Sequence, residues 1–130
     1  DWSSDVCSSD LIGSISTSGS STAYNTSSDY RLKNTITPMQ NALAKVAQLK
    51  PVTYKWNADN SDGQGFIAHE LQEVIPEAVT GEKDAVDDEG NPVYQGIDPS
   101  KIVATLTAAI QEQQAIIESL QARITTLEGK

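Results

Sequence analysis

The clearest pattern in the chain is a run of apolar residues with helical spacing near its C-terminal end. Between Ile102 and Leu127 the apolar residues follow a heptad, and seven of the eight a and d positions are apolar. These positions are Val103, Ile110, Ile117 and Ile124 at a, and Leu106, Gln113, Leu120 and Leu127 at d. A heptad sustained over this length is typical of a coiled coil, so residues 101–130 are predicted to form a long helix that associates with other copies of itself.

Several features of this helix leave open whether it packs on its own domain or on other copies of the chain, and on how many. Ile102 and Ile116 lie off the seam, so the helix could instead fold back on its own domain. Ile at a with Leu at d favours two strands, whereas the polar Gln113 at d has no settled preference. Arg123 and Glu128, at g and the following e, have opposite charges and could pair between chains. Self-association is the favoured interpretation, but the pattern alone does not choose between a dimer and a trimer.

Residues 28–100 alternate between short helical and short extended patterns, which predicts a small α+β domain ahead of the long helix. Thr37 and Pro38 are typical of a helix start, and Pro51 ends the helix that they predict. Residues 52–56 alternate apolar and polar side chains with a period of two, as in a strand. The remaining predicted elements are a turn at 57–64, a strand at 65–68, a helix at 70–75 and a strand at 93–98.

Residues 12–28 are rich in hydroxyl side chains and poor in residues that form a core. Ten of these 17 residues are Ser or Thr, and Ile12 and Ile15 are the only aliphatic residues larger than Ala. Such a composition cannot bury a core by itself. The segment is therefore either a flexible linker or the last strand or two of an upstream β-rich domain. In both cases we expect it to be extended and accessible to proteolysis.

Residues 80–92 are acidic and suggest calcium at first sight, because Asp87, Asp88 and Glu89 are adjacent. An EF-hand loop requires oxygen ligands at alternate positions and a bidentate Glu at the twelfth. The spacing here does not match that requirement. The segment is therefore predicted to be the solvated tip of a hairpin, and no metal site is expected.

Composition narrows the possible partners. The 130 residues include 18 acidic and 9 basic side chains, a formal charge of −9. This acidic excess argues against nucleic acid or an anionic membrane as the main partner, because both need a basic footprint. No apolar run approaches the roughly 20 residues of a membrane span. The single cysteine, Cys7, excludes an internal disulfide and a zinc site built from thiolates, and no cofactor is predicted.

Residues 1–11 follow neither a helical nor a strand period, and they lack the basic start and apolar stretch of a signal peptide. They resemble the translation of a short-read sequencing adapter; the alternative is an ordinary polar tail. If they are an adapter, Cys7 no longer counts, and residues 12–130 carry 15 acidic and 9 basic side chains, a formal charge of −6. We then expect the true protein to extend further upstream.

Ser28 and Lys33 are the candidate nucleophile and base. In a Ser–Lys dyad a neutral lysine removes the proton of the serine hydroxyl. The ordinary pKa of lysine is about 10.4, so burial or a neighbouring cation must favour the neutral form. Five positions correspond to about 140° around a helix and to opposite faces of a strand, so the segment must turn for the two side chains to meet. From spacing alone, a polar boundary with a solvated lysine remains the alternative.

His69 is the only histidine in the chain. A Ser-His-Asp triad would have to use this one residue, and a multi-histidine metal site has too few histidines. A single histidine at a predicted junction of strand and helix is more often structural than catalytic. Paired carboxylates occur only in the polar loop and on the outer face of the coil, where we expect them to be solvated.

Three motifs, which follow one another along the chain, indicate a resemblance to known proteins. They are SSDYRLKNTI at 27–36, LKPVTYKW at 49–56 and GFIAHELQEVIPEAV at 65–79, and the predicted coiled coil follows them. In this combination the chain resembles the S74 peptidase family. These are the C-terminal intramolecular chaperone domains of phage tail spikes, tail fibres and endosialidases. The resemblance extends from Ser28 to Leu127.

The resemblance implies that the domain forms a homotrimer, helps an upstream β-rich fibre to fold and then cuts itself off between Ser27 and Ser28. It implies Ser28 as the nucleophile and Lys33 as the general base, in a single-turnover serine endopeptidase. Asp29 and Arg31 match the motif. The resemblance implies that they position the turn, and that Arg31 could also lower the pKa of the lysine.

The resemblance also implies an order of domains and a setting. Residues 12–27 would end an upstream fibre domain, residues 28–100 would be the peptidase and chaperone domain, and residues 101–130 the coiled-coil helix. The protein would be a phage tail precursor assembled in the cytoplasm of a bacterial host, and the released domain would be soluble. Its partners would be other copies of the chain and its own upstream part. His69 stands where the family usually has Gln, so any supporting role of this side chain is open.

A second function from a different class fits the same pattern. The domain could be a structural trimerisation cap that stays attached to its fibre, with Ser28 and Lys33 serving only as turn and surface residues. Both functions predict an oligomer, so only the covalent state of the chain separates them.

Overall fold

A computed structural model describes residues 13–130, so the predictions made for residues 1–11 and for Ile12 lie outside the described residues. The chain divides into two compact units, one ending at Pro38 and the other formed by Met39–Lys130. The strands are β1 (Gly13–Ser18), β2 (Ser21–Thr26), β3 (Val52–Lys55), β4 (Asp62–Gly65), β5 (Val79–Thr80) and β6 (Gly96–Ile97). The helices are α1 (Ala42–Gln48), α2 (Ala68–Gln72) and α3 (Ser100–Glu128). This is the predicted α+β fold with a long C-terminal helix.

The first unit opens with a hairpin. Strands β1 and β2 pair antiparallel from Gly13 opposite Thr26 to Ser18 opposite Ser21. Gly19, with φ of 57°, supplies the left-handed backbone that the two-residue connection needs. Every residue of both strands is exposed, in keeping with a composition that buries no core. Residues 13–26 are therefore a strand pair rather than an irregular linker, while their assignment to an upstream domain stays a prediction.

The core of the second unit is small and centres on the predicted helix at 70–75. Helix α2 places Leu71 so that it and Ile75, four positions on, are almost fully buried. They pack with Val79 at the start of β5 and with Ile102 in the first turn of α3. The helix itself is shifted from the prediction, because α2 begins at Ala68 and ends at Gln72, and Pro76 begins a separate 3₁₀ turn. The apolar spacing in this segment was therefore a correct guide to the core.

The strand predicted at 65–68 is wrong in position. β3 pairs instead with β4, in a register that sets Tyr54 opposite Gly63. The ring of Tyr54 lies over this glycine, and a Cβ atom built on Gly63 would stand 2.5 Å from Tyr54 Cε2. A residue without a side chain lets the two strands approach each other. Three of the four residues of β4 therefore lie within the segment 57–64, whose composition predicted a turn.

The predicted helix start at Thr37 and Pro38 is also wrong, because α1 begins at Ala42. Asn41, just before it, is in the left-handed region with φ of 60° and makes no side-chain cap. The cap comes instead from α3. The Glu112 carboxylate accepts hydrogen bonds from the backbone N–H of Ala42 at 2.9 Å and of Leu43 at 2.8 Å. A carboxylate at a helix N-terminus satisfies N–H groups that have no partner within the helix.

Helix α3 has one buried face and one exposed apolar face. Ile102, Thr105 and Ala109 are buried, and with Glu112 they form a stripe at helical spacing that faces the second unit. The eight seam positions lie outside this stripe and are exposed. The apolar ones expose between 41% and 68% of their surface. Packing on its own domain therefore occupies a different face from the seam, so Ile102 and the seam serve different contacts.

The acidic segment at 80–92 is a hairpin tip, as predicted. A bridge between Val86 and Pro92 closes it. The Asp87 carboxylate accepts hydrogen bonds from the backbone N–H of Asn91 and of Glu89, each at 2.9 Å. The hydrogen bonds from Asn91 are the main cause that holds the pKa of Asp87 below its ordinary value. Within residues 13–130, no group of three or more potential metal-ligating side chains gathers.

No helix among the described residues is long and apolar enough to cross a bilayer.

The Glu112 contact predicts a clear stability effect. We expect Glu112→Ala to lower the free energy of unfolding by about 1–2 kcal/mol, because two N–H groups of α1 lose their acceptor. Glu118→Gln, which removes the same charge from an exposed site of the same helix, should change it by less than about 0.5 kcal/mol. Urea unfolding followed by circular dichroism at one protein concentration measures both. Equal effects of the two variants would contradict the capping role.

The start of α3 predicts a pH effect. The Asp98 carboxylate accepts from the Ser100 hydroxyl at 2.7 Å and from the Ser100 N–H at 3.0 Å, and these bonds lower the pKa of Asp98. A lowered pKa in the folded state means that the stabilisation is present at neutral pH and is lost as the pH falls below the ordinary value of about 3.9. Asp98→Asn should therefore melt at a lower temperature than the parent chain at pH 7 and at the same temperature near about pH 2.

Thermal unfolding across this range, with Asp88→Asn at the exposed hairpin tip as control, tests the effect. A difference between the parent chain and Asp98→Asn that stays constant with pH would rule out the charge of Asp98 as its source.

Candidate functional site

The segment after the first hairpin makes the turn that the spacing of Ser28 and Lys33 requires. A single 3₁₀ turn covers Tyr30–Leu32. The N–H of Leu32 donates to the Asp29 carbonyl oxygen at 3.0 Å, and the N–H of Lys33 donates to the Tyr30 carbonyl oxygen at 3.1 Å. A short 3₁₀ turn changes the direction of the chain over few residues, which neither a helix nor a strand would do here.

Asp29 and Arg31 hold this turn from the side. The Asp29 carboxylate caps the turn by accepting the backbone N–H of Arg31 at 2.9 Å. It also binds the Arg31 guanidinium in a two-point contact, from Nε at 2.8 Å and from Nη2 at 2.8 Å. The hydrogen bond from the Arg31 side chain is the main cause that lowers the pKa of Asp29, and the same contact raises the pKa of Arg31. Both groups therefore stay charged across the neutral range.

The turn brings Lys33 onto Ser28. Lys33 Nζ donates a hydrogen bond to Ser28 Oγ at 2.5 Å. Both side chains are exposed, as is Ser27 on the other side of the predicted cleavage point. An amine in contact with a hydroxyl is the arrangement from which a neutral lysine could take the serine proton. The structure thus places together the four predicted residues Ser28, Asp29, Arg31 and Lys33.

His69 belongs to the other compact unit and lies in α2. It is half-buried and lines a groove of about 610 Å³ together with Trp56, Phe66 and Tyr94. Four of the ten other residues that line this groove are aromatic, and the rest are a mixture of aliphatic and polar residues. This placement suits the structural interpretation of a single histidine and assigns it no chemistry.

Two contacts at these sites were missed by reasoning from the sequence. The first is the two-point ion pair of Asp29 and Arg31, although a carboxylate two residues before an arginine at a turn could have indicated a capped turn. The second is Glu112, which continues the stripe of Ile102, Thr105 and Ala109 and so points toward the domain. In that helix the apolar pattern marks only the seam. A carboxylate outside the seam was therefore predicted to be solvated.

Comparison with known proteins bears on this segment directly. A family model named Peptidase_S74, described as the chaperone of endosialidase, matches residues 28–80. The match begins at Ser28, includes the turn with Lys33 and ends in β5.

Two curated proteins are similar to a larger part of the chain. Each is named as the long tail fiber protein Gp37, from Enterobacteria phage K3 and Enterobacteria phage T2. Each is 34% identical over an alignment of 113 residues that covers 79% of this chain. The chain spans only 8% of the length of the K3 protein and 7% of that of the T2 protein.

Proposed function

Because residues 28–80 belong to the Peptidase_S74 family, we propose that the chain is the chaperone end of a phage tail fibre, which cuts itself from the fibre between Ser27 and Ser28. The observation that carries the peptidase part is the contact of Lys33 Nζ with Ser28 Oγ at 2.5 Å, at the start of the matched segment. The tail fibre relatives support the chaperone part. Both parts act on the chain's own upstream segment.

The chemistry of the cut follows from the two side chains. A neutral Lys33 takes the proton of the Ser28 hydroxyl, and Oγ attacks a carbonyl carbon on the chain. For a cut between Ser27 and Ser28, that carbon belongs to Ser27. The C–N bond breaks, the proton passes from Lys33 to the released amine, and water then hydrolyses the ester. The products are a carboxylate at Ser27, a free amine at Ser28 and an unchanged lysine.

Exposure of the pair explains why the cut should wait for assembly. Lysine in water is charged at neutral pH, and burial favours its neutral form. Ser28 and Lys33 are both exposed in the single chain. If assembly covers Lys33, the base forms only in the oligomer, so cleavage would report that the fibre has assembled.

Helix α3 is the element proposed to bring the copies together. Its seam exposes a nearly continuous apolar face that neighbours the buried stripe. An exposed heptad face of this length is the feature that parallel coiled coils bury. Early association through α3 would raise the effective concentration of upstream segments, whose contacts are far apart in sequence and slow to form. We propose a homotrimer, which is the state that the family resemblance implies.

The proposed setting is a virion component assembled in the cytoplasm of the bacterial host. The named relatives are phage tail fibre proteins, which supports the assignment to a virion. Once the cut is made, the fibre would be kinetically trapped, because the domain that guided its folding has left. The partners in this proposal are two further copies of the chain and the segment upstream of Ser28.

The second candidate function is a structural trimerisation cap that remains attached. One observation favours it: both members of the pair are exposed, as surface and turn residues would be. The same seam would serve this function. The covalent state of the assembled chain separates the two candidates.

Loss of either side chain of the pair should abolish the cut. Intact-mass spectrometry of the purified 130-residue chain should find fragments 1–27 and 28–130 in the parent protein and only the uncut chain in Ser28→Ala and Lys33→Ala. Ser20→Ala and Lys83→Ala, at exposed sites in the first hairpin turn and the acidic loop, should cleave as the parent does. An uncut parent chain that still assembles would refute the peptidase and leave the structural cap.

Breaking the seam should stop both assembly and cleavage. In Ile117→Asp with Leu120→Asp, carboxylates replace apolar side chains at adjacent a and d positions, so we expect a monomer by light scattering and a loss of cleavage. The matched control places the same charges at outer f positions, in Ala115→Asp with Ala122→Asp, and should assemble and cleave normally. A monomeric seam variant that cleaves at the parental rate would disprove the coupling of the cut to assembly.

A further inference from the structure

We infer that Gln113 fixes the direction in which copies of α3 associate, so that the helices lie parallel with their Gln113 side chains in one layer. The inference rests on the proposed association along the seam, and it names the residue that selects one arrangement of that seam over the others. The partner that Gln113 fits is the same side chain of a second copy.

The apolar part of the seam does not select a direction. Its four a positions hold Val or Ile, and three of its four d positions hold Leu. If one copy is reversed about residue 115, halfway along the seam, each a position meets a d position, so Val103 meets Leu127 and Ile110 meets Leu120. Aliphatic side chains of similar volume then fill these layers, as they do in a parallel arrangement.

Gln113 removes this ambiguity, because it is the one polar residue of the seam. In a parallel arrangement without a shift, the Gln113 side chains of all copies share one layer. In the reversed arrangement a positions meet d positions, so the Gln113 of a reversed copy meets Ile117 of its neighbour. A parallel arrangement shifted by one heptad sets Gln113 against Leu106 or Leu120. The amides of all copies therefore meet only when the helices are parallel and in register.

The chemistry of the amide decides which arrangement is favoured. A glutamine side chain has both N–H donors and an acceptor oxygen, so in a shared layer each amide can donate to the oxygen of the next copy. Gln113 and the neighbouring Ile110 and Ile117 are exposed in the single chain, so the layer is free to form on association. An amide enclosed by aliphatic side chains instead loses its contacts with water and gains no partner. A polar residue at one seam position thus specifies the arrangement, at a cost in stability.

The charges beside the seam favour the same arrangement. Between residues 102 and 128, Arg123 and Glu128 are the only charged residues at g and e positions. In parallel helices in register, a g position lies next to the following e position of its neighbour, so these opposite charges meet. Reversal separates them, because both lie near the C-terminal end of α3. Both residues are exposed, and exposed ion pairs contribute little, so Gln113 carries most of the selection.

A parallel arrangement has a consequence for the proposed function. It places the N-terminal ends of all α3 helices together, so every copy enters the coiled coil from the same side. A reversed copy would enter α3, a helix of 29 residues, from the far end, roughly 44 Å away at 1.5 Å per residue. Assistance to one upstream fibre requires that the upstream chains start together, and Gln113 provides this condition.

The experiment measures the distance between copies at one end of α3. A spin label is attached through Lys130→Cys in the full chain, with Cys7→Ser to remove the other thiol and Ser28→Ala to keep the chain uncut. Pulsed electron paramagnetic resonance then reports the distances between labels in the oligomer. Parallel helices give a short distance alone, whereas a reversed copy adds a distance close to the length of the helix. We expect the short distance alone.

Variants of the labelled chain isolate the role of the amide. Gln113→Leu should raise the melting temperature of the oligomer, because an apolar side chain replaces the amide, and the long distance should appear beside the short one. Gln113→Asn keeps an amide and should show the short distance alone. Gln111→Leu makes the same replacement at an exposed outer b position and should change neither readout. Arg123→Ala should also keep the short distance alone, because the exposed pair contributes little.

Failure of this inference and failure of the proposed function give different results. A Gln113→Leu oligomer that shows only the short distance refutes the role of Gln113 and leaves the proposed association intact. A long distance in the labelled chain without further changes refutes the parallel arrangement. A labelled chain that stays monomeric refutes both the association and the inference. Because the distances are read in Ser28→Ala, an uncut parent chain would refute the peptidase without altering this result.

Discussion

The position of α1 in the second unit depends on one contact between distant parts of the chain, that of the Glu112 carboxylate with the first two N–H groups of α1. A helix of seven residues is too short to be stable alone, since isolated helices need roughly 12 or more residues. Glu112 satisfies donors that Asn41 does not cap, and it lies 70 positions away from Ala42. The rigid α3 carries the carboxylate there, because Ile102 and Ala109 on the same stripe bury into the domain. The long helix is therefore packed against the domain within a single chain.

The same helix leaves a neighbouring face exposed. The buried stripe and the apolar seam both repeat every seven residues but start at different residues, so they occupy neighbouring faces of α3. The first unit differs, because it has no buried residue among those described. Its hairpin and turn are exposed throughout and are held by local hydrogen bonds. The proposed scission point lies in this lightly held part, where a chain is easiest to cut.

The success of prediction varied with the range of the interactions involved. The burial of Leu71 and Ile75 and the course of α3 were predictable, because apolar residues at helical spacing indicate which face is buried. The bounds of the predicted helix at 70–75 were not, since α2 covers Ala68–Gln72. The turn between Ser28 and Lys33 was predictable because no regular element joins residues five apart. β4 was misplaced because a strand of sequence DGQG has no apolar alternation, and only the ring of Tyr54 over Gly63 explains it. The start of α1 was misplaced because Thr37 and Pro38 are good local signals that a distant carboxylate overrides.

By itself, the sequence determined the α+β class, the long helix with its exposed seam, the core position of Leu71 and Ile75 and the residues that can carry chemistry. These follow from local periodicity, turn chemistry and motifs, which act over a few residues. The tertiary structure alone decided where α1 begins, which residues pair in the β3–β4 hairpin and which face of α3 meets the domain. Those features depend on contacts between residues far apart in the chain, such as Glu112 with Ala42, and no local pattern specifies them.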